Sequence, residues 1–188
     1  QVIGTLSTDL EEIGYGSTFN LTGTFKLPDK TPVPALNVRF EIKGANETTW
    51  RSLAAGVTDA AGVISLPVVV GQKSEIRLVS DASWERSEGK TAEKTISVIP
   101  KIRLDLPTSM KVNTTYPITG QLLPRISDIK VTVKQNAKAV AEVVTDANGS
   151  FTFNAKVATA GLATFQVVFP AGVKNSAGAS DEITVLVR

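Results

Sequence analysis

Along most of this chain apolar and polar residues alternate with a period of two. Val38, Phe40 and Ile42 fall on one side and Arg39, Glu41 and Lys43 on the other, which is the pattern of a half-buried β-strand. Phe151, Phe153, Ala155 and Val157 alternate with Thr152, Asn154 and Lys156, and Phe165, Val167 and Phe169 repeat the theme. Gly, Pro, Asn and Asp collect between these runs, where turns need them. No stretch shows a helical period with caps; residues 81–94 are polar enough for a long loop or one helical turn. The longest apolar run, residues 66–70, is of strand length and contains Pro67. It is far short of the ~20 residues of a membrane helix, so no membrane span is expected in this segment.

The pattern predicts seven strands near 2–8, 18–26, 38–43, 49–54, 63–69, 75–80 and 94–99. Seven more are predicted near 101–106, 115–122, 129–135, 138–145, 150–156, 163–169 and 182–187. The two sets are copies of one another. Phe19-Asn20-Leu21-Thr22-Gly23 matches Tyr116-Pro117-Ile118-Thr119-Gly120, and Thr58-Asp59-Ala60-Ala61-Gly62 matches Thr145-Asp146-Ala147-Asn148-Gly149. Seven short strands with a turn every 8–12 residues is the signature of an immunoglobulin-like sandwich. The expected fold is therefore all-β: two tandem immunoglobulin-like β-sandwich domains of about seven antiparallel strands, residues 1–100 and 101–188. The boundary falls near Pro100, and so short a linker predicts a semi-rigid rod.

Composition then narrows the chemistry. The 188 residues contain no Cys and no His. Disulfides and Cys/His metal sites are excluded, as are the familiar triads and thiol nucleophiles. Neighbouring carboxylates, Glu11-Glu12 and Asp181-Glu182, would face opposite ways on a strand and read as solvated charge. The expectation is a protein without enzymatic activity, without cofactor and without a metal site. The net charge is +2, too small to point to nucleic acid. The charge is uneven, however: residues 1–100 hold 10 Lys/Arg against 12 Asp/Glu, and residues 101–188 hold 10 against 6.

A strand ending in Thr-Gly, followed by alternating strands around Thr-Asp-Ala-x-Gly, resembles the bacterial immunoglobulin-like (Big-type) repeats of surface and secreted proteins. Trp50, eight residues before Thr58, fits the same resemblance, which covers essentially the whole chain. It implies an exported, extracellular or cell-surface location and a stalk, spacer, adhesive or presentation role. It also admits a carbohydrate- or cell-wall-binding module, or accessory domains of a larger secreted enzyme. The stretch 145–153 also resembles the B-type repeats of collagen adhesins, some of which carry a Lys–Asn crosslink. Residues 160–165 depart from that pattern, and no crosslink is expected.

Trp84, Trp50 and Arg86 are the candidate contact residues, because exposed aromatics stack on sugars or anchor interfaces. Trp84 and Arg86 share the polar stretch Ser83-Trp84-Glu85-Arg86-Ser87. Trp50 falls in a predicted strand, where packing is the plainer role. The implied partners are a cell-wall glycan or another surface protein. Homotypic assembly through an outer strand is a further expectation, with residues 2–6 and 183–187 the strands to watch. Asp59 and Asp146 offer a calcium reading and a tight-turn reading. The turn is favoured, since calcium takes 6–8 oxygens and each turn supplies one carboxylate; Asp9, Glu11 and Glu12 lack an Asp-x-Asp pattern. The sequons at Asn20, Asn46, Asn113 and Asn148 are what a Thr- and Asn-rich sandwich produces by chance.

Overall fold

The structure, a computed structural model, describes residues 2–82 and 87–188. It forms two compact units, Gln1–Val98 and Ile99–Arg188. The first carries β1 (Ile3–Thr8), β2 (Glu12–Gly14), β3 (Thr18–Lys26), β4 (Asn37–Gly44), β5 (Arg51–Val57), β6 (Val63–Val69), β7 (Ser74–Ser80), β8 (Gly89–Lys90) and β9 (Lys94–Ile99). The second carries β10 (Lys101–Asp105), β11 (Ser109–Met110), β12 (Thr115–Leu123), β13 (Lys130–Gln135), β14 (Lys138–Val144), β15 (Ser150–Lys156), β16 (Gly161–Phe169), β17 (Gly178–Ala179) and β18 (Ile183–Val187).

Both units share one topology. A three-stranded sheet, β1-β3-β6 or β10-β12-β15, faces a larger one, β2-β9-β7-β4-β5 or β11-β18-β16-β13-β14, with β8 on β7 and β17 on β16. Each unit is an immunoglobulin-like sandwich. The fourteen expected strands are present to within about three residues at their ends. The period-two pattern did not reveal β2, β8, β11 and β17, because two or three residues cannot display a period. β8 lies inside the stretch expected to be loop or helical turn.

The inward residues of each strand meet as one core per unit. Phe25, Phe40, Ile76, Leu78 and Ile96 are fully buried in the first, and Ile118, Leu122, Val131, Phe165 and Val167 in the second. The glycine of each Thr-Gly match faces this core. A Cβ on Gly23 would come within 2.1 Å of Leu78, and one on Gly120 within 2.2 Å of the Phe151 ring. The missing side chain is the space another residue fills. Both prolines within strands have a ladder partner on one side, Pro67 opposite Asn20 and Pro117 opposite Asn154, and no strand among the described residues on the other, as the missing N–H requires. Pro67 lies on β6, an outer strand. Pro117 lies beyond the end of β10, whose last residue, Asp105, pairs with Thr119.

The repeated Thr-Asp-x-x-Gly segment is the corner where the chain leaves the larger sheet and enters the smaller. Thr58 is buried; its hydroxyl donates to Val33 O at 2.7 Å and accepts from Leu36 N at 3.0 Å. Thr145 does the same, donating to Ile126 O at 2.7 Å and accepting from Ile129 N at 3.0 Å. Asp59 Oδ1 accepts from Ala61 N and Val63 N, both at 2.9 Å. Asp146 Oδ1 accepts from Asn148 N at 2.8 Å and Ser150 N at 2.9 Å. Gly62 and Gly149 sit at φ of 72° and 70°, and a Cβ there would press on backbone atoms at 2.5 and 2.8 Å. Gly is thus required twice over at these positions.

Replacing Thr145 by Val keeps its shape but leaves Ile126 O and Ile129 N without their partner. A loss of about 2–4 kcal/mol follows from two orphaned buried groups, read by far-UV circular dichroism in a urea titration. Thr145→Ser retains most of the stability. Equal losses in the two variants would show that the hydroxyl contributes nothing.

Candidate functional site

Among the described residues, charge and aromatic surface converge most on the outer face of β4 and β7 in the first unit. The pairing register decides this. Lys43 lies opposite Glu75, and Glu41 opposite Arg77, so both of these cations meet an anion across the strands. Lys43 Nζ is 2.6 Å from Glu75 Oε2, an ion pair outside good hydrogen-bond geometry. Glu41 is 9% exposed and accepts from two guanidinium groups. Arg39 Nε reaches Oε1 at 2.9 Å, and Arg77 Nε reaches Oε2 at 2.8 Å. Arg39 also pairs with Asp81 and lies 3.7 Å from Glu88.

These contacts set the titration behaviour. Burial alone would raise the Glu41 carboxyl, but the hydrogen bonds from Arg77 and Arg39 outweigh it and hold the group below the usual carboxylate range. The bond to Glu41 holds Arg39 above its ordinary value, against a smaller opposing effect of burial. Lys90, through a hydrogen bond and its charge, lowers Glu88.

Trp50 belongs to this face. It immediately precedes β5, one residue outside the strand rather than within it, and is half-buried. The Arg77 guanidinium lies 4.2 Å from its ring centroid and Lys43 Nζ 4.7 Å. Both are cation–π distances, worth about 0.5–1 kcal/mol each at a partly exposed site. The ring lies against two cations of the ladder, both within the first unit. Trp84 and Arg86, the other candidate contacts, lie outside the described residues.

The carboxylates weighed as ligands are held apart. Asp9 accepts from Asn20 N at 3.1 Å, whereas Glu11 lies 3.5 Å from Lys94. Asp59 and Asp146 adopt the turn reading, each with one oxygen committed to two amides. The strands watched for assembly differ. β1 pairs with β3 alone, but β18 lies between β16 and β11, and its Leu186 and Val187 pair with Ser109 and Met110. That part of the 183–187 segment is an interior strand, because the short β11 covers it.

Sequence reasoning missed a second pair of buried hydroxyls. Thr91 Oγ1 accepts from Leu78 N and donates to Ala92 O, both at 3.0 Å. Ser180 Oγ accepts from Val167 N at 3.0 Å and donates to Asp181 O at 2.9 Å. Each stands in for a backbone partner where the chain crosses from β8 to β9 or from β17 to β18. A single hydroxyl residue in a polar stretch carries no pattern that would have marked it.

No protein-family model matches this chain, and no curated protein does. Among solved structures it is similar to the adhesin InvE of Yersinia pseudotuberculosis, at 15% identity and a TM-score of 0.48 over 97% of this chain and 58% of that one. It is similar to a 282-residue C-terminal fragment of intimin bound to the intimin-binding domain of its translocated receptor, at 14% identity and a TM-score of 0.49 over 99% and 64%. Fibronectin(III)-like modules of Clostridium thermocellum CbhA match at 15% identity and a TM-score of 0.35 over 98% and 93%. Identities and scores this low transfer no activity or partner to this chain.

Two outcomes follow from the ionic face. Because the folded Glu41 carboxyl is depressed, its contribution is present above the ordinary carboxylate range and is lost as pH falls through the depressed value. Glu41→Gln therefore costs about 1–3 kcal/mol at neutral pH, and the difference from the parent shrinks on acidification. Urea titrations at a series of pH values measure this; a difference independent of pH would contradict it. A double-mutant cycle between Trp50→Ala and Arg77→Ala should return a coupling of about 0.5–1 kcal/mol.

Proposed function

We propose that this chain is a non-catalytic structural and adhesive module of a bacterial surface or secreted protein, working outside the cell as stalk, spacer or presentation domains. The observation that carries the reading is the duplication itself. One sandwich topology occurs twice, and the same buried threonine corner closes each copy. A chain built this way repeats a scaffold rather than assembling a reaction centre. The chemistry supports the same reading. Histidine and cysteine are absent from the sequence, which removes the usual proton shuttle and thiol nucleophile near neutral pH. Among the described residues the most concentrated group of charges is a ladder of ion pairs.

Two other readings are weaker. Accessory packing beside a catalytic domain uses the same scaffold, but no observation favours it. Sugar binding through Trp50 is disfavoured, since its ring already carries Arg77 and Lys43. In the stalk reading each unit resists extension as a unit. Pulling the chain between its termini in a force microscope should give two discrete unfolding events. Each should lengthen the chain by about 300 Å, as units of 98 and 90 residues extend at roughly 3.4 Å per residue. Smooth extension without discrete events would remove the mechanical role.

A further inference from the structure

The outer faces of the two three-stranded sheets correspond position by position, yet their chemistry differs. With Gly23 set against Gly120, one row reads Ser7–Thr22–Ser65 in the first unit and Asp105–Thr119–Thr152 in the second. The adjacent row reads Thr5–Thr24–Val63 in the first and Arg103–Gln121–Ser150 in the second. In the first unit the hydroxyls of the Ser7–Thr22–Ser65 row are satisfied within that row. Thr22 Oγ1 and Ser65 Oγ are 2.9 Å apart, and Ser7 Oγ donates to Thr22 O at 3.3 Å.

In the second unit the same six positions line a depression of about 330 Å³. Arg103 and Asp105 make no ion pair with a described residue, although they point from the same face of β10. Of the six side chains only Gln121 has a partner among the described residues, donating to Asn148 O at 3.3 Å. The sandwich is the same; the row that bonds within itself in the first copy, beside a smaller depression at Ile3, Thr5, Thr24 and Lys26, is unpaired among the described residues in the second and lines the larger depression.

We propose that this cradle binds a neutral sugar unit of a polysaccharide. The two charges are opposite and two residues apart, so the site offers no net charge to a phosphate or an ammonium group. Its guanidinium only donates, its carboxylate only accepts, and its amide and hydroxyls do both. Adjacent sugar hydroxyls need that mixture, because each offers a donor and an acceptor that a carboxylate and a guanidinium can engage in pairs. The volume is at the lower end for ligand sites and suits one or two pyranose rings. The depression lies open on the sheet, so a longer chain can pass through it. Phe151, the one aromatic residue of the lining, is buried in the core at 4% exposure and presents no open ring for stacking, so affinity for a single unit is weak and gains from repetition along a polymer. This inference goes beyond the stalk reading, which stands whether or not the cradle is filled.

The test is a titration of the ¹⁵N-labelled chain with cellotetraose, xylotetraose, chitotetraose and mannotetraose in turn, followed by amide shifts. At least one sugar should give saturable shifts at Arg103, Asp105, Thr119, Gln121, Ser150 and Thr152. Ser7, Thr22 and Ser65 should stay still as the internal control. Arg103→Ala and Asp105→Ala should each weaken that binding about tenfold or more, the loss of one charged hydrogen-bonding partner. Unchanged spectra elsewhere establish that the variants fold. The proposal is overturned by any of four results: no shifts with all four sugars at their solubility limits, equal shifts on both sheet faces, shifts indifferent to both substitutions, or tighter binding of inorganic phosphate than of any sugar.

Discussion

The hydroxyl of one buried threonine in each unit is the interaction on which the rest of the sandwich depends. A two-sheet fold must pass its chain from one sheet to the other, and that crossing exposes backbone groups no ladder can satisfy. Thr58 sits in the corner between β5 and β6 and bonds the last residues of the link between β3 and β4, through its hydroxyl to Val33 and Leu36 and through its backbone to Ala35 and Leu36. Thr145 repeats this with Ile126, Ile129 and Asp128. Two crossings between the sheets are therefore tied at one residue. Ala35 and Asp128, at φ of 52° and 62°, accept the left-handed backbone that this corner demands.

Around that corner the two units agree at the positions that admit a neighbour, turn the chain or replace a ladder partner. Gly23 and Gly120 admit a neighbour's side chain, Gly62 and Gly149 turn the chain, and Thr91 and Ser180 replace a missing ladder partner. The divergence lies on the outer faces. The first unit builds a charged ladder capped by Trp50 on its larger sheet. The second places Arg103 and Asp105 on its smaller sheet, where the first has Thr5 and Ser7. Such faces can change without disturbing the core, because outward residues of a strand meet one another and not the inward side chains. A duplicated scaffold is a natural place for one copy to hold and the other to recognise.

The alternation of Val38, Phe40 and Ile42 with Arg39, Glu41 and Lys43 was enough to establish strands, their inward sides and the all-β class, since a strand's burial follows directly from its period. The matched Thr-Asp-x-x-Gly segments established two copies of one unit and a tight turn in each. The candidate site was legible only in part. Trp50 was visible as an aromatic, but nothing local showed that Arg77, 27 positions later, would lie against its ring. That contact exists because β4 and β7 are neighbours in the sheet although β5 and β6 separate them in the chain.

By itself the chain determined what each segment becomes: strands, turns, inward and outward sides, and a scaffold without histidine or thiol chemistry. Tertiary structure alone decided which outward residues become neighbours. Arg103 and Gln121 are 18 positions apart, and Ser150 is further still, yet one register aligns them in a row. The physical reason is that periodicity is a property of one strand, whereas register is a property of pairs. A surface site on a sheet is made of register.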